Sequence, residues 1–265
     1  MYSSLQLAKK YIHYYFTASN GKGHGIHSPF VFDFIKNVLN DKKKYESYAS
    51  IEETRNELLQ DKRVVDVEDL GAGSLAVPFR KKKISDIARS SLKSKKFAQL
   101  LFRIVQYYKP NNIVELGTSL GVTTAYIAAA NKTSQVFTLE GAKNIADIAQ
   151  ENFQKLDVQN VIQIQGNFDD TLPQILSQIQ KIDFAYVDGN HRKEPTSHYF
   201  DQLINKSTHS TIFIFDDIHW SKEMEEAWKE IQQHNDVTLT INLFFIGLVF
   251  FQKDFKAKQH FVIRF

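Results

Sequence analysis

The fold of this chain is decided by the stretch Ile113-Val114-Glu115-Leu116-Gly117-Thr118-Ser119-Leu120-Gly121. This stretch has the pattern of a short apolar strand that breaks into a glycine turn, and the apolar residues of 122–130 then predict a helix. A second apolar run, 136–139, ends in Glu140, nineteen residues after Gly121. A strand, a glycine turn, a helix and a second strand tipped with a carboxylate are typical of a nucleotide-type pocket, because the carboxylate accepts both ribose hydroxyls.

Strand and helix patterns alternate from residue 112 to the end of the chain. The strand patterns cover 113–116, 136–140, 161–165, 183–188, 211–216, 237–243 and 247–252, and the helix patterns cover 122–131, 144–156, 170–180, 195–206 and 222–234. Such alternation predicts right-handed crossovers and a mostly parallel α/β sheet. The last two strands are separated by Phe244-Phe245-Ile246 without a helix, so we expect an antiparallel hairpin at one sheet edge.

The N-terminal third of the chain has a different pattern. Apolar residues recur at helical spacing over 5–16, 30–39 and 97–108. We therefore predict a helical extension or lid over 1–96 and an α/β domain over 97–265. No run approaches the roughly 18 apolar residues of a membrane span, and the start lacks the pattern of a signal peptide. The expectation is a cytoplasmic protein without a membrane partner.

Composition and charge narrow the classes of function. A chain without cysteine excludes disulfides, thiolate catalysis and cysteine-ligated metals. The net charge of +3 hides an asymmetry, because residues 1–111 carry 20 Lys and Arg against 11 Asp and Glu, whereas the remainder carries 13 against 19. The densest basic run is Arg80-Lys81-Lys82-Lys83. A run of this kind either follows nucleic-acid phosphates or forms a solvated surface, and without a recognised RNA-binding module the solvated surface is favoured.

The glycine spacing indicates the kind of cofactor. Glu-x-Gly-x-x-x-Gly departs from the Gly-x-Gly-x-x-Gly expected for pyrophosphate, which disfavours a dinucleotide and suits a nucleoside without phosphate. Here the sequence resembles the class I S-adenosylmethionine-dependent methyltransferases over about residues 97–253. The resemblance implies a Rossmann-like methyltransferase fold: a doubly wound, mostly parallel seven-stranded sheet closed by the C-terminal antiparallel hairpin, with S-adenosylmethionine as cofactor.

The same resemblance implies a cofactor-binding set at the first three strand ends. Its members are Glu115, Gly117, Gly121, Thr123, Glu140, Asn167 and Asp169. Glu115 and Gly117 are implied beside the methionine part, Thr123 at the amino-acid carboxylate and Glu140 at the ribose. Asn167 and Asp169 belong to the segment implied to line the adenine.

Acidic residues also follow the fourth and fifth strand patterns, in Tyr186-Val187-Asp188-Gly189-Asn190-His191 and Phe215-Asp216-Asp217-Ile218-His219-Trp220. Carboxyl ends of parallel strands open onto one edge, so Asp188, Asp216 and Asp217 are expected to converge. Three carboxylates repel one another unless a cation, a basic group or a shared proton neutralises them, and oxygen ligands favour magnesium, calcium or manganese. The alternative is a set of helix caps and salt bridges.

These acidic strand ends resemble those of the catechol O-methyltransferase group and its bacterial relatives. The resemblance implies Mg²⁺ or another divalent cation on Asp188, Asp216 and Asp217, although Asp217 departs from the asparagine of that group. The general-base lysine of the group falls on His191, so His191 and Asp188 are the predicted catalytic residues. Histidine suits the task because its side chain ordinarily titrates near neutrality.

Two N-terminal loops complete the sequence pattern. Asp69-Leu70-Gly71-Ala72-Gly73-Ser74 imitates a cofactor loop without the strand–turn–helix context, so we expect a lid or substrate loop. Gly23-His24-Gly25-Ile26-His27-Ser28-Pro29-Phe30 is expected to be structural, with Ser28 and Pro29 starting a helix. Together with Asp-Gly-Asn-His at 188–191, these loops resemble a group of uncharacterised methyltransferases from Bacteroidetes.

The sequence thus favours an S-adenosylmethionine-dependent O-methyltransferase that acts on a hydroxylated small molecule with the help of a divalent metal. One alternative is an RNA methyltransferase whose basic N-terminal half holds RNA. Another is a catalytically silent cofactor-binding or scaffold protein. The aromatic residues near the end of the chain are either core or the interface of a homodimer. They are Phe244, Phe245, Phe250, Phe251 and Phe261.

Overall fold

The computed structural model of the chain describes residues 1–67, 80–255 and 257–265. The glycine-rich segment 69–74, expected to be a lid or substrate loop, lies outside the described residues. In chain order the elements are α1 Ser4–Thr17, α2 Pro29–Phe34 with a π-helical turn Ile35–Leu39, α3 Ser47–Gln60, β1 Val64–Val67, β2 Arg80–Lys83, α4 Ile84–Ser91, α5 Lys95–Tyr108, β3 Asn112–Leu116, α6 Val122–Ala130, β4 Gln135–Glu140, α7 Lys143–Lys155, β5 Val161–Gln165, α8 Phe168–Gln178, β6 Phe184–Val187, α9 Lys193–Ile204, β7 Ile212–Asp216, α10 Lys222–Gln233, β8 Leu239–Asn242, β9 Ile246–Phe250 and β10 Gln259–Val262.

The chain divides into two compact units. The first unit consists of residues 1–41 and 180–265, and the second unit consists of residues 42–179. This division does not follow the boundary predicted between residues 96 and 97. The reason lies in helix packing within the second unit, where α3 packs against α4 and α6, and α5 packs against α6. Much of the expected N-terminal extension is therefore joined to the glycine-turn half of the sheet.

Three parallel strands form the sheet of the second unit. β3 pairs with β4 and β4 pairs with β5, so that Leu116 lies opposite Leu139 and Glu140 lies opposite Gln165. Side chains along β3 and β4 are buried almost without interruption, which is typical of parallel strands covered on both faces. The predicted parallel crossovers are confirmed for this half of the chain.

A small antiparallel hairpin in the second unit was not predicted. β1 pairs with β2, and Val64 lies opposite Lys83. All four residues of β2, Arg80 to Lys83, are exposed. A strand that consists of cations carries no apolar alternation, which explains why the sequence pattern did not indicate it.

The sheet of the first unit contains parallel and antiparallel neighbours. β6 pairs with β7 in parallel, β9 pairs antiparallel with both β7 and β8, and β10 pairs with β8 in parallel. The predicted antiparallel C-terminal pair is confirmed. It does not form the sheet edge, because β10 lies outside β8.

The strand count also differs from the prediction. Among the described residues, the sheet of the first unit has five strands and the parallel sheet of the second has three. Their total is one more than the seven predicted. The additional strand is β10, whose burial alternates between half-buried and exposed along four residues. So short and polar a run gives a weak strand pattern.

Helix α1 is anchored to the C-terminal strand region. The Tyr14 hydroxyl donates to the Ile263 carbonyl at 2.5 Å, and Ser19 forms a parallel bridge with Ile263. Burial raises the pKa of Tyr14 to about 12. α2 begins as predicted, since the Ser28 hydroxyl accepts the Val31 N–H and Pro29 occupies the first turn.

The described architecture is a mixed α/β fold with a mostly parallel sheet and a C-terminal antiparallel strand pair, as the sequence predicted. Most of the aromatic residues near the chain end are core, because Phe244, Phe250 and Phe251 are buried, while Phe245 remains 42% exposed. Among the helices of the described residues, none has the length and apolar content needed to cross a membrane.

Candidate functional site

The glycine turn connects β3 to α6 at the carboxyl end of the second unit's sheet. The N–H groups of Gly117 and Thr118 donate to the Leu139 carbonyl at 3.0 and 3.1 Å. Gly121 has a φ of +79°, and a Cβ there would lie 2.7 Å from the Phe153 ring. Glycine is required at this position because the left-handed backbone and the neighbouring α7 side chain both exclude a larger residue.

Glu115 lies at the end of β3, below the glycine turn. Its side chain is fully buried, and its Oε2 accepts hydrogen bonds from the Thr124 hydroxyl at 2.5 Å and the Thr138 hydroxyl at 2.6 Å. These bonds connect β3, β4 and α6 beneath the glycine turn. Through these hydrogen bonds Glu115 braces the turn, and its placement beside the methionine part of a cofactor stays a prediction.

Glu140 is the last residue of β4, and its carboxylate accepts a hydrogen bond from the glycine turn. The Ser119 N–H donates to its Oε2 at 2.8 Å, and the Ala142 N–H donates to its Oε1 at 3.0 Å. Burial raises the pKa of Glu140 above its ordinary value, whereas the backbone N–H groups oppose that rise. Glu140 is therefore a carboxylate whose orientation is determined by backbone N–H groups.

The third strand end lies beside Glu140. The Gly166 N–H donates to the Glu140 carbonyl at 2.9 Å, which brings the segment after β5 to this edge. The Asn167 side chain accepts the Asp169 N–H at 3.2 Å and so caps α8. Both side chains are exposed, and Thr123 lies buried in the first turn of α6. The predicted set is thus gathered around one sheet edge, with Thr123 and Glu115 inside it.

The acidic strand ends lie in the first unit. Val187 of β6 pairs with Phe215 of β7, so Asp188 and Asp216 follow at the same edge. The Tyr186 hydroxyl donates to Asp188 Oδ2 at 2.9 Å, and His191 Nε2 lies 3.5 Å from Asp188 Oδ1. Both oxygens of Asp188 therefore face protein groups.

Two of the three predicted metal ligands, Asp188 and Asp216, have defined surroundings. Asp188 is directed at Tyr186 and His191, and Asp216 is 1% exposed. Within residues 1–67, 80–255 and 257–265, no group of three or more His, Cys, Asp or Glu side chains is arranged to hold a metal ion. The divalent cation on Asp188, Asp216 and Asp217 stays a prediction, and we derive no chemical step through a metal.

The sequence pattern did not predict two sets of contacts in the first unit, those of Tyr186 and those of Glu225. Tyr186 lies two residues before Asp188, the spacing that places side chains on one side of a strand, and this was the available signal. Glu225 gave no local signal, because its partners come from both ends of the unit. It accepts hydrogen bonds from Tyr2 at 2.9 Å and Lys10 at 2.9 Å, and His219 Nδ1 also lies 2.9 Å away.

The Glu225 contacts hold the segment after β7 against α1. Burial acts to raise the pKa of Glu225, but the hydrogen bonds from Lys10, His219 and Tyr2 hold that pKa below its ordinary value. The Tyr2 N–H donates to the Trp220 carbonyl at 3.0 Å. The N-terminus is therefore part of the structure around 216–220.

A family of known proteins matches the middle of the chain. Residues 114–218 match the model of a family described as a methyltransferase domain, a segment that includes the glycine turn, Glu140 and the two acidic strand ends. The prediction of a Rossmann-like methyltransferase fold is confirmed, and the family match agrees with the prediction of a methyltransferase. No protein with a curated description matches the chain.

Solved structures with the same fold come from bacteria and a fungus. An O-methyltransferase from Bacillus cereus in complex with SAH (S-adenosylhomocysteine) is 20% identical, with a TM-score of 0.57 over 83% of this chain and 97% of that chain. The Podospora anserina methyltransferase PaMTH1, SAH-bound, is 13% identical, with a TM-score of 0.59 over 85% and 97%. The O-methyltransferase TomG from Streptomyces achromogenes, in complex with SAM (S-adenosylmethionine), is 17% identical, with a TM-score of 0.57 over 79% and 91%. At these identities the similarity establishes the fold.

Proposed function

We propose that this chain is an S-adenosylmethionine-dependent O-methyltransferase that acts on a hydroxylated small molecule. The observation that carries the proposal is the position of Glu140, whose carboxylate is oriented by the Ser119 and Ala142 N–H groups beside the glycine turn. A carboxylate held there accepts the two ribose hydroxyls of a nucleoside. The SAH and SAM bound in the Bacillus cereus and Streptomyces structures support the choice of nucleoside.

The second unit supplies the binding of the cofactor in this proposal. Gly117, with a φ of +103°, adds no side chain at the start of the turn, so a ligand can approach the backbone there, while Gly121 lets the turn pack against Phe153. Asn167 and Asp169 form the exposed rim after β5 for the adenine. When bound, S-adenosylmethionine supplies a methyl group on a positively charged sulfur.

The first unit supplies a base for the acceptor. Asp188 faces His191 Nε2, which leaves Nδ1 to take the proton of a substrate hydroxyl. Asp188 positions the imidazole, and Tyr186 positions Asp188.

Two other functions use the same domain. An RNA methyltransferase is supported by β2, whose four cations are all exposed, because such a strand attracts phosphates. A catalytically silent binding protein would keep the contacts of Glu140 without transferring a methyl group. The small-molecule enzyme is preferred because the His191–Asp188 pair provides a base, which a silent protein does not need.

Replacement of Glu140 tests the cofactor assignment directly. We expect Glu140→Gln to weaken S-adenosylhomocysteine binding by about 10- to 100-fold, because charge-assisted hydrogen bonds contribute about 1.5–3 kcal/mol. Isothermal titration calorimetry measures the change. The matched control is Glu151→Gln, the same substitution at an exposed residue of α7 that contacts Arg63, and its affinity should equal that of the wild type. Equal affinities of Glu140→Gln and wild type would exclude Glu140 as the ribose acceptor.

A further inference from the structure

Helix α1 exposes an apolar stripe, defined here as Met1, Leu5, Ile12, Tyr15 and Phe16. Their exposed fractions are 85%, 67%, 56%, 43% and 77%, respectively. With Ala8 between them, the positions 5, 8, 12 and 15 alternate steps of three and four residues, which places them on one side of a helix. Tyr14, on the opposite side of α1, is buried. The helix therefore has an inner face packed in the first unit and an outer apolar face.

The inner face holds α1 firmly in the first unit. Tyr14 and Ala18 pack with Phe244, and the Tyr14 hydroxyl donates to the Ile263 carbonyl. Lys10 forms an ion pair with Glu225 at 2.9 Å. Because these contacts determine the rotation of the helix about its axis, the stripe stays exposed and cannot turn inward to bury itself.

The size of the stripe is that of a protein interface. A complete aromatic side chain offers about 150–250 Å², so the five residues together expose on the order of 600 Å². The largest apolar patch on a typical monomer is about 300–600 Å². Phe245 is 42% exposed, and its ring lies 5.8 Å from that of Tyr11 on the margin of the stripe. With Phe245, the apolar surface approaches the roughly 800 Å² that each partner contributes to a standard interface.

We propose that this stripe is the surface through which two copies of the chain associate. The alternation of three and four residues is that of the a and d positions whose side chains insert between those of another helix. A two-fold axis places the same patch on both copies, so one apolar stripe suffices for a closed dimer. The apolar area available per copy matches the contribution that a stable dimer needs from each partner.

The charges of α1 favour a protein partner over a lipid surface. Segments that bind anionic membranes carry clusters of about four to eight Lys and Arg. α1 contributes Lys9 and Lys10, and Lys10 is paired with Glu225. A membrane would thus gain little electrostatic attraction here, whereas a second stripe offers apolar contact along the whole helix.

The substitution Ile12→Glu tests the dimer. Sedimentation velocity of the full chain should show a dimer for the wild type and a monomer for Ile12→Glu at the same concentration, with association weakened at least about 100-fold by a charge in the centre of the stripe. The matched control is His13→Glu, which adds the same charge at the neighbouring exposed residue, away from the stripe. We expect His13→Glu to remain dimeric.

Two further measurements and a second variant distinguish the possible outcomes. Calorimetry with S-adenosylhomocysteine should give the same affinity for the wild type and Ile12→Glu, which separates this proposal from the proposed function. If Ile12→Glu does not fold, Leu5→Glu takes its place. A monomeric wild type, or a dimer that survives both substitutions, overturns the proposal. A monomer that sediments with phosphatidylserine vesicles, and loses that binding in Ile12→Glu, also overturns it and assigns the stripe to lipid.

Discussion

Asp188 is held on both sides, by the Tyr186 hydroxyl on one oxygen and by His191 on the other. A carboxylate with so little freedom to rotate orients the imidazole and favours its protonation at Nε2, which leaves Nδ1 as the basic nitrogen. The sequence placed Asp188 and His191 after the same strand and assigned them to catalysis. It also assigned Asp188 to a metal, and that assignment stays a prediction.

At the residue scale we predict that His191→Gln lowers methyl transfer about 10²- to 10⁴-fold, the usual contribution of a general base. The affinity for S-adenosylhomocysteine should not change. Transfer of a radiolabelled methyl group to a panel of phenols, catechols, aliphatic alcohols and total RNA measures the effect. His198→Gln, at an exposed histidine of α9 that contacts Gln202, is the control and should retain the wild-type rate.

Each result of that panel identifies one function. Full activity of His191→Gln would remove His191 as the base. Labelling of RNA in place of the small molecules would support the RNA methyltransferase. Cofactor binding without any labelled acceptor would support the silent protein.

At the scale of elements, the connection from β3 to α6 depends on the residues of the turn itself and on contacts with side chains from other elements. The glycines and the apolar runs on either side predict the strand, the turn and the helix. Glu115 shows the limit of that pattern, since its threonine partners at positions 124 and 138 come from α6 and β4. A residue at the end of a strand contacts a ligand or the core according to side-chain packing, and the spacing of the sequence does not distinguish the two.

The turn itself offers a test of packing. Gly121 and Gly25 both have a φ of +79°, but a Cβ at Gly121 meets Phe153 at 2.7 Å, while one at Gly25 meets nothing within 4 Å. We expect Gly25→Ala to lower the free energy of unfolding by about 1 kcal/mol through backbone strain alone. Gly121→Ala should lower it by about 2–4 kcal/mol, because steric overlap adds to the strain.

Urea unfolding followed by circular dichroism measures both variants. The difference between them isolates the contact with Phe153, since the backbone angle is the same. Equal losses of stability in Gly121→Ala and Gly25→Ala would show that the Phe153 side chain of α7 moves aside without lowering the free energy of unfolding.

At the scale of the whole molecule, the division of the chain differs from the division expected from its patterns. Apolar spacing separated a helical N-terminal region from an alternating region. Three-dimensional packing instead joins residues 1–41 to 180–265, and 42–111 to the first strands of the sheet. The contacts of Glu225 illustrate the reason, because Tyr2 and Lys10 lie more than 200 residues away from it along the chain.

High pH should lower the free energy of unfolding, because the chain has buried tyrosines. Burial raises the pKa of Tyr14 to about 12, and burial together with the hydrogen bond to Glu52 raises the pKa of Tyr126. A raised pKa means that the folded chain holds the proton more tightly than the unfolded chain. The resulting stabilisation is complete below the unfolded pKa of about 10 and is lost as the pH rises through the folded pKa.

We therefore expect the free energy of unfolding to fall as the pH rises from about 10 toward 12. Tyr14→Phe should reduce that slope and should lower stability at neutral pH by about 1–3 kcal/mol, because the Ile263 carbonyl loses its donor. Tyr107→Phe, at a tyrosine that is 42% exposed, is the control and should keep the wild-type slope. Parallel curves for Tyr14→Phe and the wild type would contradict the assignment.

The sequence by itself determined the α/β class, the parallel strands, the antiparallel pair near the end and the glycine turn with Glu140, because each depends on residues close together along the chain. Tertiary structure decided the burial of Glu115, the partners of Asp188, the position of β10 and the exposure of one face of α1. These features depend on which surfaces meet when distant segments pack. The spacing of residues along the chain does not predict those contacts.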